Sequence, residues 1–503
     1  MGSYKCILFL LIFLSSLFTA TINARVVTFT RVTVGSGLNV PHGDWAGNID
    51  GTSPKYELDI FATVAGSKTA VWYANTNKGA TWSASNLIQT SSFYNYEIAG
   101  IDLNKNGIID AVSTDDDVSA TGLSYLFLHT NTGGGTFTTT DINSSGMSGL
   151  FRQMRFGDME GDGDIDIIVT VNTNRFYTTQ TGVGIYWYEN TGNLNFTAHF
   201  IGFCNAWKID CFDNDVPKDG HLDIVITECY HGNLDITANC KLILYKNNGS
   251  EGFSAYVIDN TLGPPNAASS SGGAGVRCAD FDTDGLIDIV SGNASTGVFY
   301  WYKNTGGNNF QRYTIDANCP AIDGIDVGDF EPDGDMDVVV AGRNFWFRWY
   351  ENDGSGNFTS HTISTDYQLF DLPYVSYFDG DSCPDIVLTE SSSSGNIFAY
   401  LNPCPGGNVE ETESKNENYL TFPSVVKGSS IKITFQIKNE TDVEIEITDI
   451  TGSVKDIILK RNNCTSGIYE ALWNTGKKPA GIYFVTLKTG NNSVITKKIT
   501  YIK

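Results

Sequence analysis

Residues 157 to 170 read GDMEGDGDIDIIVT, which sets Asp158, Glu160, Asp162, Asp164 and Asp166 within nine positions. Like charges so placed repel by roughly 1 kcal/mol per pair at 4 Å even in water, so the cluster calls for a cation. Its spacing is that of an oxygen-ligated loop. Side chains stand at positions 1, 3 and 5, a glycine at 6 allows the sharp turn, a carbonyl serves at 7, and a carboxylate closes the set at 9. Hard oxygen donors on a flexible loop suit calcium, whereas zinc would ask for His or Cys, and this loop has neither.

The same unit is copied along the chain. It recurs as DLNKNGIID, DNDVPKDGHLD, DFDTDGLID and DFEPDGDMD. The candidate ligands are therefore Asp102, Asn104, Asn106 and Asp110; Asp158, Glu160, Asp162 and Asp166; Asp213, Asp215, Asp219 and Asp223; Asp280, Asp282, Asp284 and Asp288; and Asp329, Glu331, Asp333 and Asp337. A weaker copy at 377–385 offers Asp379, Asp381 and Asp385 but has Tyr377 where the first carboxylate belongs. Another, DWAGNIDGTSPKYELD at 44–59, carries insertions. Five calcium sites are expected, seven at most. Each loop supplies enough oxygens for the ion, with water, to complete its shell, so the expected role is stiffening rather than contact with a ligand.

A second signature tracks the first. Strands with alternating aromatics, such as YWYENTGNLNF and RWYENDGSGNF, close on an Asn/Gly turn and lead into another strand. Their anchors are Tyr73, His129, Tyr188, Tyr245, Tyr302, Tyr350 and Tyr400, spaced 48 to 59 residues apart. Seven repeats of about four short strands describe an all-β, seven-bladed propeller. The last repeat lacks its final strand, while VTFTRVTV at 27–34 is such a strand standing alone. The N-terminal strand is thus expected to complete blade seven and remove two open edges. The pairs Trp187/Tyr188, Trp301/Tyr302 and Trp349/Tyr350 could stack on sugars, but adjacent strand residues face opposite ways, which favours burial between blades.

The first residues, with Lys5 before CILFLLIFLSSLF and INA ending at Ala24, read as a secretory signal peptide over 1–24. No later stretch has the length of a membrane span. A net charge of −25, from 32 Lys and Arg against 57 Asp and Glu, argues against nucleic acid. Nine cysteines follow the leader, which suits an oxidising compartment. Cys204 with Cys211 and Cys229 with Cys240 are candidate local pairs.

The loops and aromatic strands over 27–402 resemble FG-GAP (VCBS) repeats, the units of the integrin alpha-chain propeller and of some calcium-stiffened lectins. The resemblance implies a calcium-binding propeller over 25–402. It leaves the function open, because one fold serves many. NVEETESKNEN lies in an acidic linker at 403–418. From 419 to 503 alternating strands suggest a small Ig-like β-sandwich. ITDITGSVK, GIYEALWNTGKKPAGIYFVTLKTG and TKKITYIK resemble the C-terminal sorting domain of type IX secretion substrates, which implies export to the cell surface or medium by that machinery. An ordinary accessory sandwich is the alternative.

No catalytic residue is assigned: the six histidines are scattered, and there is no HExxH, GxSxG or GxxxxGK. The expected function is binding or adhesion to a glycan or cell-surface protein. A secreted polysaccharide-processing enzyme on the same scaffold is the alternative. The irregular segments 227–240 and 261–275 are the candidate ligand loops.

Overall fold

In the computed structural model the described residues are 27–502, apart from 53–56, 93, 117–122, 144–146, 173–181, 216, 230–238, 250–251, 264–274, 293–296, 320–321, 343–345, 366–371, 405–418, 422–424, 428–429, 438–440, 450–452, 466, 476–477, 480 and 491–493. The expected leader, most of the expected linker, and the greater part of the two candidate ligand loops lie outside them. The chain divides into two compact units, Met1–Gly407 and Asn408–Lys503.

In the first unit, antiparallel sheets follow one another in chain order, each of four strands except that of blade 2, which has five. Blade 3 is representative: Leu150–Gly157, Asp166–Asn172, Gly184–Asn190 and Phe196–Gly202. The first strands of the blades are Pro41–Gly47, Tyr94–Ile101, Leu150–Gly157, Ala206–Phe212, Val276–Ala279, Ile322–Gly328 and Tyr374–Ser376. Each packs on the next and the last packs on the first, so the seven sheets close a propeller ring. Blade 7 takes its fourth strand from the N-terminus: Thr30–Leu38 runs antiparallel to Gly395–Leu401, with Thr30 opposite Leu401 and Val32 opposite Ala399.

The second strand of a blade is buried on both faces because a neighbouring blade covers each one. Every residue of Asp166–Asn172 and of Asp223–Glu228 is buried. The aromatic pairs serve the same packing. Tyr188 joins Leu128 and Met154 in the core toward blade 2, and Trp187 joins Ile209 and Ile226 in the core toward blade 4.

The cysteines differ from expectation in one pair. Cys229–Cys240 is bonded, which pins the base of the loop between blade 4's second and third strands. Cys204 and Cys211 are both free. Cys204 precedes the strand Ala206–Phe212 and Cys211 lies near its far end. At about 3.3 Å per residue they stand well beyond the ~7 Å a disulfide can span. The second bond is Cys383–Cys404, which ties the blade 7 loop to the segment leaving the ring.

The second unit is a two-sheet sandwich. Tyr419–Thr421, Ser430–Ile437 and Gly467–Asn474 form one sheet; Val425–Lys427, Val494–Ile502, Gly481–Thr489, Thr441–Asp449 and Val454–Cys464 form the other. Alternate residues of both, including Ile433, Phe435, Ile445, Val485 and Trp473, share one core.

Candidate metal centres on one rim

In each blade the acidic loop joins the first strand to the second, and the Asn/Gly turn joins the third to the fourth. Up-and-down topology puts both on the same rim, with the second-to-third connections and the links between blades on the other.

Position 1 shapes the loop. Asp102, Asp280 and Asp329 each accept the N–H groups of positions 5 and 6; Asp158 accepts those of Gly161 and Gly163, and Asp213 that of Gly220. The glycine at position 6 has positive φ throughout, 85° at Gly107 and 91° at Gly163, a conformation side chains resist. Position 5 (Asn106, Asp162, Asp219, Asp284 and Asp333) accepts the N–H two residues on, making an Asx turn.

Position 9 is the buried pivot. Asp166 accepts Met159 N through one oxygen and Asn190 N through the other, at 2.9 and 2.8 Å. Asp223, Asp288, Asp337 and Asp385 repeat this, and Asp110 accepts Asn131 N at 2.9 Å. Asp59 does the same for Ile49 and Asn75, so the blade 1 copy starts at Asn48 rather than Asp44. Burial pushes Asp59 and Asp288 up to about 6.

Position 3 carries unpartnered oxygens in blades 3, 5 and 6. Both carboxylate oxygens of Glu160 and of Glu331, and Oδ1 of Asp282, are buried without a hydrogen-bond partner. Burial holds Glu160 and Glu331 well above the usual carboxylate range, and the neighbouring Asp166 and Asp337 push the same way. Among the described residues three carboxylates converge within 4.8 Å in blade 3 (Asp158, Glu160, Asp166), blade 4 (Asp213, Asp215, Asp219) and blade 5 (Asp280, Asp282, Asp288). These clusters can hold metal ions. The all-oxygen donor set and the unpartnered buried oxygens fit a hard cation. Asp381 also lies beside Cys383 and Cys404, but their sulfurs are bonded to each other, so they offer no thiolate. Asp379 and Asp381 are linked instead through the N–H of Asp381.

The sequence reading missed the asparagine of the Asn/Gly turn. Its Nδ2 donates across the blade boundary to the carbonyl at position 2 of the preceding loop: Asn131 to Ile49, Asn190 to Leu103, Asn247 to Met159, Asn352 to Phe281, Asn402 to Phe330, and Asn75 to Phe378. In blade 5 Asn304 donates to the side chain of Asn214 at 2.8 Å. The metal rim is therefore hydrogen-bonded all round the ring. The signal was present, since Asn recurs at this place in every copy although a turn alone would accept Asp or Gly.

Residues 102–169, 215–291 and 280–340 match the FG-GAP-like repeat, and residues 427–503 match the secretion system C-terminal sorting domain. No curated protein sequence matches the chain. Among solved structures, a lectin of Agrocybe aegerita, described as recognising non-reducing terminal N-acetylglucosamine, is 19% identical over 68% of this chain and 81% of its own, with a TM-score of 0.42. The Dos1 propeller is 9% identical over 74% and 95%, with a TM-score of 0.44. The alpha-L-arabinanase of Penicillium chrysogenum is 12% identical over 69% and 100%, with a TM-score of 0.40. Among the described residues no helix is long and apolar enough to cross a membrane.

Proposed function

Because the chain carries FG-GAP-like repeats on a propeller and a secretion sorting domain that marks it as exported, we propose that it is a calcium-stabilised binding or adhesion module, delivered by type IX machinery. Its ligand, a glycan or a cell-surface protein, docks on the rim opposite the metal loops. Calcium supplies a fixed positive charge that draws the loop carboxylates together; the loops of the ring, that of blade 3 first, supply the oxygens.

One observation carries the docking side of this reading: chain-length variation is spread over more blades on that rim than on the metal rim. On the metal rim the acidic loops of blades 2, 3, 5, 6 and 7 are equal in length, as from Gly157 to Asp166 and Ala279 to Asp288, and the longer connections are those of blade 1 (Gly47 to Asp59, Tyr73 to Asn86) and blade 4 (Phe212 to Asp223). On the other rim, connections run from Gly342 to Trp346 in blade 6 but from Asn172 to Gly184 in blade 3 and from Glu228 to Lys241 in blade 4, with Asp259 to Val276 leading into blade 5. Loops that differ on a scaffold that repeats are where recognition is placed. The test is a glycan array probed with the full chain in calcium, then with 230–238 replaced by a short Gly/Ser link. Selective binding lost in the variant supports the reading; binding that survives this change but fails when metal-rim turns are altered overturns the docking side.

A second reading, a polysaccharide-processing enzyme, is favoured by carboxylates outside the metal loops. Asp115 and Asp116 are buried at the end of blade 2's second strand, and burial pushes Asp116 to about 7 with Arg152 Nη1 3.5 Å from it. The Arg152 guanidinium lies over the rings of Tyr96 and Trp207, at 4.8 and 5.1 Å. A polysaccharide-degradation screen with wild type and Asp116→Asn tests it; cleavage lost in the variant would make this the function.

A further inference from the structure

Four of the five full loops fall into two electrostatic classes; the loop of blade 2, with two carboxylates and Thr130 before its turn asparagine, belongs to neither. Blades 3 and 6 have Glu at position 3 (Glu160, Glu331) and Asp at position 7 (Asp164, Asp335), giving five carboxylates in each loop. Blades 4 and 5 have Asp at position 3 (Asp215, Asp282) and His221 or Leu286 at position 7, giving four. A third position varies with these two. The residue before the turn asparagine is Glu189 in blade 3 and Glu351 in blade 6, but Lys246 in blade 4 and Lys303 in blade 5.

The side chains at that third position act differently. Lys246 Nζ lies 2.5 Å from Asp215 and 2.7 Å from Asp223, bridging positions 3 and 9 of its own loop. Lys303 Nζ donates to Asp282 at position 3 and lies 2.8 Å from Asp284 at position 5. In blades 3 and 6 the glutamates turn to histidines on the outer strand, Glu189 to His199 at 2.6 Å and Glu351 to His361 at 2.7 Å. Among the described residues no lysine reaches the position 3 carboxylate there; in blade 3 Lys105 Nζ instead meets Asp164 at position 7, at 2.5 Å. Glu331, 4% exposed, keeps both oxygens without a partner, and Glu351 adds to the negative charge around it.

We propose that Lys246 and Lys303 are the resident cations of the loops in blades 4 and 5, and that divalent cation binding is directed to the glutamate-bearing loops of blades 3 and 6, where no lysine bridges the position 3 carboxylate. An ammonium is a compact point charge with three donors, so it can bridge the carboxylates that a metal would otherwise gather. A divalent ion entering such a loop would have to expel the lysine from its ion pairs or sit against a like charge. Among the described residues no lysine bridges Glu160 or Glu331, and the buried, unpartnered Glu331 marks where a cation is missing. The inference rests on the calcium reading for blades 3 and 6 and adds a selection among the repeats.

The test counts calcium bound per full chain, by equilibrium dialysis against Ca²⁺ alone and elemental analysis, alongside melting temperature in calcium and in EDTA. Glu160→Gln and Glu331→Gln should each lose one calcium, and Asp215→Asn and Asp282→Asn none. Lys246→Met and Lys303→Met should each gain one, and their melting temperatures should become more sensitive to EDTA than that of the wild type. A Lys246→Met protein that folds but gains no calcium, together with an Asp215→Asn protein that loses one, would overturn the lysine assignment. If the wild type binds none while both lysine variants melt lower in either buffer, the calcium reading fails and the lysines stand as counter-ions. Circular dichroism at 25 °C separates lost sites from lost folding.

Discussion

At the scale of single residues, the repeats show what each position requires by what changes when it is filled differently. Six of the seven aromatic anchors are tyrosines and the seventh is His129. Its ring is fully buried, 2.7 Å from Ser113 Oγ and 2.8 Å from Thr139 Oγ1. Burial lowers its pKa to about 3, against about 6.5 in an unfolded chain. Between those values the unfolded state binds the proton and the folded state does not, so folding loses stability as pH falls below about 6.5 and continues to lose it until about 3. At pH 5 the term amounts to about 2 kcal/mol. His129→Gln keeps a donor and an acceptor but cannot titrate. Urea unfolding at pH 7 and pH 5 should therefore show the wild type losing about 2 kcal/mol more than the variant. Equal losses would mean that the ring is not held neutral. Buried carboxylates titrate in both proteins, so they cancel from the difference.

At the scale of elements, a blade is held to its neighbour by apolar faces and by one asparagine. Asn352 Nδ2 is 2.7 Å from Phe281 O in blade 5 and 3.1 Å from Met336 O in its own blade. Removing it leaves two buried carbonyls short of a donor, so Asn352→Ala should cost about 2 to 3 kcal/mol. Asn190, whose corresponding bonds are 3.4 and 3.3 Å, should cost less. Denaturant unfolding of both variants measures the ranking, and a reversed order would show that these bonds do not carry the boundary. The strands themselves were legible in the sequence because apolar alternation and Asn/Gly turns are local. The closing strand was legible because one repeat lacked it. The asparagine bridge was not, since its acceptor lies in the previous repeat, as far back as Phe281 from Asn352. The Cys383–Cys404 bond was hidden similarly: it joins a loop that has lost its first carboxylate to the turn that follows Asn402, and spacing alone gives no reason to pair them. There a covalent link stands where other blades have a fuller set of loop oxygens.

The first unit is a ring, so local losses propagate to its closure. The seam between Thr30–Leu38 and Gly395–Leu401 depends on an N-terminal strand with no covalent neighbour in blade 7. Deleting residues 27–38 should expose a sheet edge and shift the protein toward oligomers on size exclusion; a monodisperse monomer would show that the edge is otherwise covered. The same ring gathers its acidic loops on one rim, within a net charge of −25. Without cations the loops repel one another across blade boundaries as well as within each loop. Chelation should therefore lower the melting temperature by more than the loss of isolated loops would suggest. Added sodium chloride should restore part of the drop, because the screening length shortens from about 10 Å at 0.1 M to about 3 Å at 1 M. Magnesium should restore less than calcium, since it keeps its water and demands tighter octahedral geometry. A melting temperature unchanged by excess EDTA at low salt would mean that the rim carries its charge without metal. Partial rescue by salt and full rescue by calcium would instead separate the long-range repulsion, which any ion screens, from the coordination that only the right ion supplies.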